Sequence, residues 1–466
     1  MRKILIYLAV FLLLISQAHG ATLFHSFFDD LAGFSSQRYL PSIEEFPLEN
    51  SMIDCNYQFD NLFENRSTEL RNAIFSMNCL VPLHSNKDLL SIFVARSNAL
   101  AHFEDQNTNS FMMKTAADFF AIEYGLKLTE KIEIRTGITQ TQSLFSNSQK
   151  RPGLIYGLKI KPFDFLNISY SSINNSQGIL TDVDTAYKQY ESLIIDSATS
   201  NQMVCGLSFS DVITLKLDLL ENKNIQNQSL DNSDWKSSLE LGYMLNRELT
   251  FFLMAGRGAY SNNMRFYEEE QLFAFLNLER INFLYGAGMS LKIEDKEWLL
   301  SYSRSTFDYT SGGKVFNQAS PDIFSNIDNI DKYMDAKALM QINSCQLSVK
   351  GIRFQEVAIE PSLQYQSMDM RGNIDFWNTW FFGILKELES TQPLNYQRID
   401  FLVVGGSLAY DINETWKLRY SIRQILPILA LQDKVEVEAA SLSELNGPAD
   451  YAQGGNTQTF SLACYF

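Results

Sequence analysis

From residue 51 onward the chain repeats one pattern: alternating apolar side chains, a short polar turn, a second alternating run, then a long polar stretch. Phe120, Ile122, Tyr124, Leu126 and Leu128 alternate with Ala121, Glu123, Gly125 and Lys127. After Thr129-Glu130-Lys131 the pattern resumes with Ile132, Ile134 and Ile138 against Glu133, Arg135 and Gly137. Side chains two apart share a strand face, so this is an amphipathic β-hairpin. The unit recurs with turns at Pro162, Ser210-Asp211, Asn246-Arg247, Glu294-Asp295-Lys296 and Asp411 to Glu414. Residues 333–370 hold one more pair of strands, with the turn at Asn343-Ser344 or at Arg353 to Glu356. Long polar segments separate the hairpins, near 174–200, 222–233, 259–281, 309–332, 371–396 and 424–456.

The last ten residues, Thr457 to Phe466, are a strand of the same kind. Phe460, Leu462, Cys464 and Phe466 share one face, and Thr459, Ser461, Ala463 and Tyr465 the other. A soluble β-sandwich has no reason to alternate short turns with long loops, because both its ends meet the same solvent. A barrel crossing an outer membrane does, since its periplasmic turns are short and its extracellular loops long. The rhythm and the terminal Phe466 together resemble Gram-negative outer-membrane β-barrels of the porin-like size class, over residues 51–466, without a motif of any narrower family. The resemblance implies an all-β fold, a single antiparallel transmembrane barrel in the cell outer membrane. It also implies contact with outer-membrane lipid and lipopolysaccharide, and recognition of the Phe466 strand by the barrel assembly machinery.

Two segments precede the barrel. In residues 1–20, Arg2 and Lys3 lead an uncharged run from Ile4 to Ile15 and then Ala18-His19-Gly20, the pattern of a cleaved secretory signal peptide. In residues 21–50, Phe24, Phe27, Phe28, Leu31 and Phe34 recur at helical spacing before Pro41 and Pro47. That segment reads as a rim helix or as a plug in the lumen. Strand candidates at 52–60, 71–83 and 88–101, the seven hairpins and the closing strand give about 18 strands. Sixteen or fourteen follow if some of these are not wall strands. The terminal strand should pair with 52–60 and with 413–423. The mean hydropathy of −0.13 fits a barrel whose lumen-facing half is polar.

The polar half of each alternation supplies the candidate pore lining: Glu123, Lys127, Glu133, Arg135, Lys159, Lys216, Asp218, Glu240, Lys292, Lys417, Arg419 and Arg423. With Lys161, these make a net-basic wall in a chain whose net charge is −16. The acids collect in the long segments, at Asp182, Asp184, Glu191 and Asp196, at Glu268 to Glu270, and at Glu436, Glu438 and Glu444. Asp182 to Ile195 and Glu268 to Phe283 read as short loop helices. Arg304 falls on the outward face, where it could snorkel to a headgroup phosphate.

The five cysteines, Cys55, Cys79, Cys205, Cys345 and Cys464, have no C-x-x-C spacing, and only Cys55–Cys79 suggests a bridge. His25, His84 and His102 sit in no catalytic motif, so no enzyme activity, cofactor or metal is expected. No nucleic-acid partner is expected, and homo-oligomerisation is left open. The leading function is a diffusion channel for small hydrophilic solutes. The alternative is a closed barrel acting through its long acidic loops as a surface adhesin or structural protein.

Overall fold

The structure is a computed structural model. It describes residues 51–466 apart from 63–67, 85–86, 105–109, 144–151, 176–179, 186–188, 195–196, 210–211, 227–229, 269–270, 316–330, 381–384, 394–395 and 429–454. The segment expected to be a signal peptide (1–20), the expected rim helix or plug (21–50), and Asp196, Glu269, Glu270, Glu436, Glu438 and Glu444 lie outside the described residues.

The chain forms a closed antiparallel barrel of 18 wall strands. It opens with β1 (Met52–Leu62), β2 (Thr68–His84) and β3 (Asp88–Glu104). The hairpin of β4 (Ser110–Thr129) and β5 (Ile132–Ser143) follows, then β6 (Gly153–Phe163) and β7 (Leu166–Asn175). Two short strands, β8 (Leu180–Thr185) and β9 (Gln189–Ile194), lie outside the wall count. Next come β10 (Ser197–Phe209) with β11 (Ile213–Gln226), and β12 (Leu230–Met244) with β13 (Leu249–Glu268). The pair β14 (Gln271–Ile293) and β15 (Lys296–Val315) precedes β16 (Asp331–Lys350), which continues past Gly351 as β17 (Ile352–Phe354) and turns into β18 (Val357–Trp380). A short strand β19 (Leu385–Pro393) returns along β18, and β20 (Tyr396–Asp411), β21 (Trp416–Pro427) and β22 (Gly455–Tyr465) finish the wall.

Closure is made by the first and last strands, in register from Met52↔Tyr465 to Leu62↔Gly455. β22 also pairs with β21, as expected. The last residue completes the seam: the Phe466 amide donates to the Ser51 carbonyl at 2.9 Å, and the Ser51 amide donates to the Phe466 carbonyl at 2.8 Å. Inside the seam Ser461 Oγ donates to Asp54 Oδ1 at 3.1 Å. These bonds satisfy what would otherwise be two open sheet edges.

In their described residues, both proposed loop helices are strands. Asp182 and Asp184 lie on β8 and Glu191 on β9, and β8 pairs with the outer end of β4, from Phe111↔Thr185 to Thr115↔Thr181. This hairpin extends the wall above the shorter β5 and β6. Glu268 ends β13, and residues 271–283 are the first half of β14. The supposed loops near 259–281 and 371–396 are, in their described residues, strand extensions, and the described ends of 309–332 belong to β15 and β16. Beyond the bilayer both sheet faces can be polar, so the apolar alternation fades while backbone pairing continues. The ambiguous 333–370 turn falls at Gln355-Glu356, with Gln355 at φ 56°. The turn assigned to Pro162 lies at Asp164-Phe165, because β6 runs through Pro162 with a register shift between Ile160 and Phe163. Cys55 lies opposite Met77 and Cys79 opposite Ile53, so these two thiols are out of register, and all five cysteines are free.

Deleting Phe466 removes both backbone bonds to Ser51. The expected outcome is a lower folded fraction on semi-native gel electrophoresis.

Candidate functional site: the inner wall

Strand β6 shows how the two faces separate. Leu154, Tyr156 and Leu158 are exposed, whereas Gly153, Ile155 and Gly157 between them are buried. The exposed apolar set continues around the barrel through Met203, Leu239, Leu253, Tyr285, Leu300, Leu363 and Phe460. Following the cross-strand register, all twelve candidate residues occupy the opposite, inward parity. They fall into two groups with different physics.

The first group is packed and paired. Glu133 of β5 lies opposite Lys127 of β4 on one side and Lys159 of β6 on the other. Arg135 Nε donates to Glu133 Oε1 at 3.1 Å, with the carboxylate side chain 5% exposed. Glu123 is buried nearby, attracted by Arg135 and repelled by Glu133. Arg135 lies opposite Gly125 on β4 and Gly157 on β6. A Cβ at Gly157 would sit 3.4 Å from Arg135 Cβ, so the glycine lets the long cation lie along the wall. At Gly137 a Cβ would come within 2.4 Å of the Ile122 carbonyl, which explains the missing side chain beside Glu123. Here wall bases neutralise wall acids.

The second group faces open space. Lys216, Glu240, Lys292, Lys417, Arg419 and Arg423 are exposed on the inner face, while the side chain of Asp218 is outside the described set. Arg423 borders a cavity of about 440 Å³ that spans from β15 and β16 through β18, β20 and β21 to β22 and β1. Its charged lining is Asp60, Lys350, Glu360 and Arg423, two of each sign, set among amides and hydroxyls such as Gln58, Gln346, Ser362 and Thr459. Ser407 Oγ donates to Glu360 Oε2 at 3.2 Å, and Gln58 Nε2 donates to Asp60 Oδ2 at 3.0 Å. The sequence reading passed over Asp60, Lys350 and Glu360. Asp60 ends a run whose inward partners Asp54, Asn56 and Gln58 alternate with Ile53, Cys55, Tyr57 and Phe59, a signal that could have found it. Lys350 and Glu360 flank the turn whose position the sequence left open.

The inner wall is also partly apolar, which the sequence reading did not anticipate. Phe93, Ala95, Phe119, Ala121, Ile155 and Ile173 form a buried inward cluster on β3, β4, β6 and β7. Phe93 and Phe119 meet edge to face with centroids 5.9 Å apart. On the far side, Arg280 is buried against the rings of Tyr260 and Phe307, at 5.3 and 5.8 Å from its guanidinium carbon. Arg304 points outward as expected, and its Nη2 donates to Gln341 Oε1 at 2.8 Å.

No protein-family model matches the chain, and no curated protein matches it. Among solved structures it is similar to OmpTdeltaL8, a loop L8 deletion mutant of the outer membrane protein OmpT of Vibrio cholerae. The identity there is 7%, over 89% of this chain and 98% of that one, with a TM-score of 0.37. It is similar also to Pseudomonas aeruginosa OccK3 (OpdO), at 10% identity over 90% and 95% of the two chains and a TM-score of 0.35. The corresponding values for Acinetobacter baumannii OccAB2 are 8%, 90%, 97% and 0.36. These values are too low to carry any property of those proteins to this chain. Its own architecture, a closed antiparallel barrel with an apolar outer face, is that of an outer-membrane β-barrel.

Replacing Arg135 by Met should destabilise the folded barrel by about 3–5 kcal/mol, because two buried carboxylates lose the guanidinium they share. Adding Glu133→Gln should recover part of that loss. Denaturant unfolding of the two single variants and the double variant measures the coupling, expected at about 0.5–3 kcal/mol.

Proposed function

We propose that the protein is an outer-membrane diffusion channel for small hydrophilic solutes, with the exposed inner charges as its selectivity elements. The observation that carries this reading is the polar cavity bordered by Asp60, Lys350, Glu360 and Arg423. A wall of 18 strands is too wide for its own side chains to fill, and barrels of 16–18 strands leave an aqueous channel. The apolar cluster on β3 to β7 and the packed Arg280 region on β13 to β15 take up parts of the inner surface. Water and solute then follow the polar sector around β18 to β1. Passage along one sector rather than down a broad axis favours small solutes.

Charge sets which of those solutes pass most readily. Lys417, Arg419 and Arg423 stand on consecutive inward positions of β21, apart from Ser421, and make a basic strip along the route. Glu360 and Asp60 stand across from it on β18 and β1. A solute carrying both signs can exchange partners along such a path without losing its compensation, and mixed charge of this kind sets ion preference. Zwitterionic or weakly anionic solutes are therefore the proposed class.

Reconstituted protein in a planar bilayer should give discrete conductance steps. In a salt gradient, Arg423→Glu with Arg419→Glu should move the reversal potential toward cation preference, while Lys216→Glu should change it less. Absence of conductance from folded protein at every voltage would remove the channel reading. Liposome swelling with amino acids and neutral sugars of equal size tests the charge preference: equal rates would count against it.

A further inference from the structure

Among the described outward arginines, Arg96, Arg257, Arg304 and Arg371 have surroundings of two kinds. Arg96 donates to both carboxylate oxygens of Asp118, at 2.6 and 2.8 Å. Arg371 pairs with Asp369 at 3.0 Å. These two cations are neutralised within the wall. Arg257 of β13 and Arg304 of β15 have no carboxylate partner among the described residues. The Arg257 guanidinium instead lies over the rings of Trp235 and Phe283, at 6.0 and 5.4 Å. Arg304 reaches only the neutral Gln341.

Their position is equally specific. On β13 the outward residues counted from the short turn are Leu249, Phe251, Leu253 and Ala255, and then Arg257. On β15 they are Trp298, Leu300 and Tyr302, and then Arg304. Each arginine is thus the first charged residue after that outward apolar run, toward the far end of the belt, where Trp235, Ile281 and Leu339 are the apolar residues at or just beyond its level. In an outer-membrane barrel that end meets the headgroups of the outer leaflet. Arg257 is in register with Phe283, and Arg304 with Tyr285 two residues along the intervening strand β14. Two strand spacings and a two-residue offset put the two Cα atoms about 12 Å apart. The floor between them is aromatic.

We propose that Arg257 and Arg304 form a docking site for the phosphorylated headgroup of an outer-leaflet glycolipid. An uncompensated cation on the lipid side of a barrel is costly toward the hydrocarbon, and a fixed anion at the interface removes that cost. Guanidinium suits phosphate because it presents parallel N–H donors to two oxygens. Stacking on Trp235 and Phe283 holds the Arg257 plane while leaving its edges free to donate. The rings and Tyr285 accept the acyl chains below. The site depends on the membrane setting and not on conduction, so it stands or falls separately from the channel.

The test uses full-length folded protein in neutral detergent, titrated with purified lipopolysaccharide, with the apparent melting temperature as readout. The wild type should be stabilised, the Arg257→Ala/Arg304→Ala variant should lose most of that shift, and Arg96→Ala should keep it. Inorganic phosphate alone and enzymatically dephosphorylated lipopolysaccharide should produce little shift. Single-channel conductance of the double variant should be unchanged. An equal shift in wild type and double variant overturns the site. So does a full shift from the dephosphorylated lipid, which would assign the contact to acyl chains, or from phosphate alone, which would assign it to a free ion. If the alanine pair fails to fold, Arg257→Gln/Arg304→Gln preserves the stems and puts the same question.

Discussion

Every part of this structure depends on one requirement: backbone amides and carbonyls crossing a hydrocarbon layer must find partners within the protein. A sheet meets that requirement only when it has no edges. The β1–β22 seam is therefore more than one strand pair among eighteen. It pairs residues 393 to 413 positions apart in sequence, from Leu62↔Gly455 to Met52↔Tyr465. It holds at the very end of the chain through the reciprocal bonds between Ser51 and Phe466. The inward side chains of the seam, Asp54, Asn56, Gln58 and Asp60 against Thr457, Thr459 and Ser461, form part of the polar sector proposed as the route. Closure and lining are supplied by the same strands.

Much of this was legible in the sequence because period-two alternation is a strong signal wherever one face meets lipid and the other meets water. The strand count of 18 and the two neighbours of the last strand followed from that periodicity and from parity. The inward placement of the twelve charged candidates followed as well. The signal failed where its physical cause is absent. Beyond the bilayer nothing demands an apolar outer face, so the distal halves of β13, β14 and β18 read as loops, although their backbones pair in the same ladders. Glu268 to Phe283 looked helical because Leu272, Phe275, Leu276 and Glu279 happen to recur at helical spacing.

The site was less legible than the fold, and for a different reason. Parity says which way a residue points and nothing about what lies across the lumen. Glu133 and Arg423 look alike in the sequence, as charged residues alternating with Ile and Leu. Yet Glu133 is locked against Arg135 on an adjacent position of its own strand, and Arg423 stands exposed at a cavity. The glycines that distinguish them, at 125, 137 and 157, matter only when neighbouring strands are placed side by side. The apolar inward residues Phe93, Phe119, Ile155 and Ile173 were hidden by the same limitation. In one dimension they break the polar alternation, whereas in the barrel they gather into one cluster.

The division of the inner wall follows from how charge is accommodated in each place. On β4 to β6 a carboxylate is tolerated in a packed setting only with a cation held beside it, so acids and bases there are interleaved. On β21 the cations need no such arrangement, because water reaches them. Lys417 lies over the ring of Tyr465, and Arg423 borders the cavity. On the proposed channel reading, selectivity rests on the wall charges left exposed and not on the summed wall charge. Those on β21 stand next to the closing seam, whereas Lys216, Glu240 and Lys292 stand elsewhere around the wall.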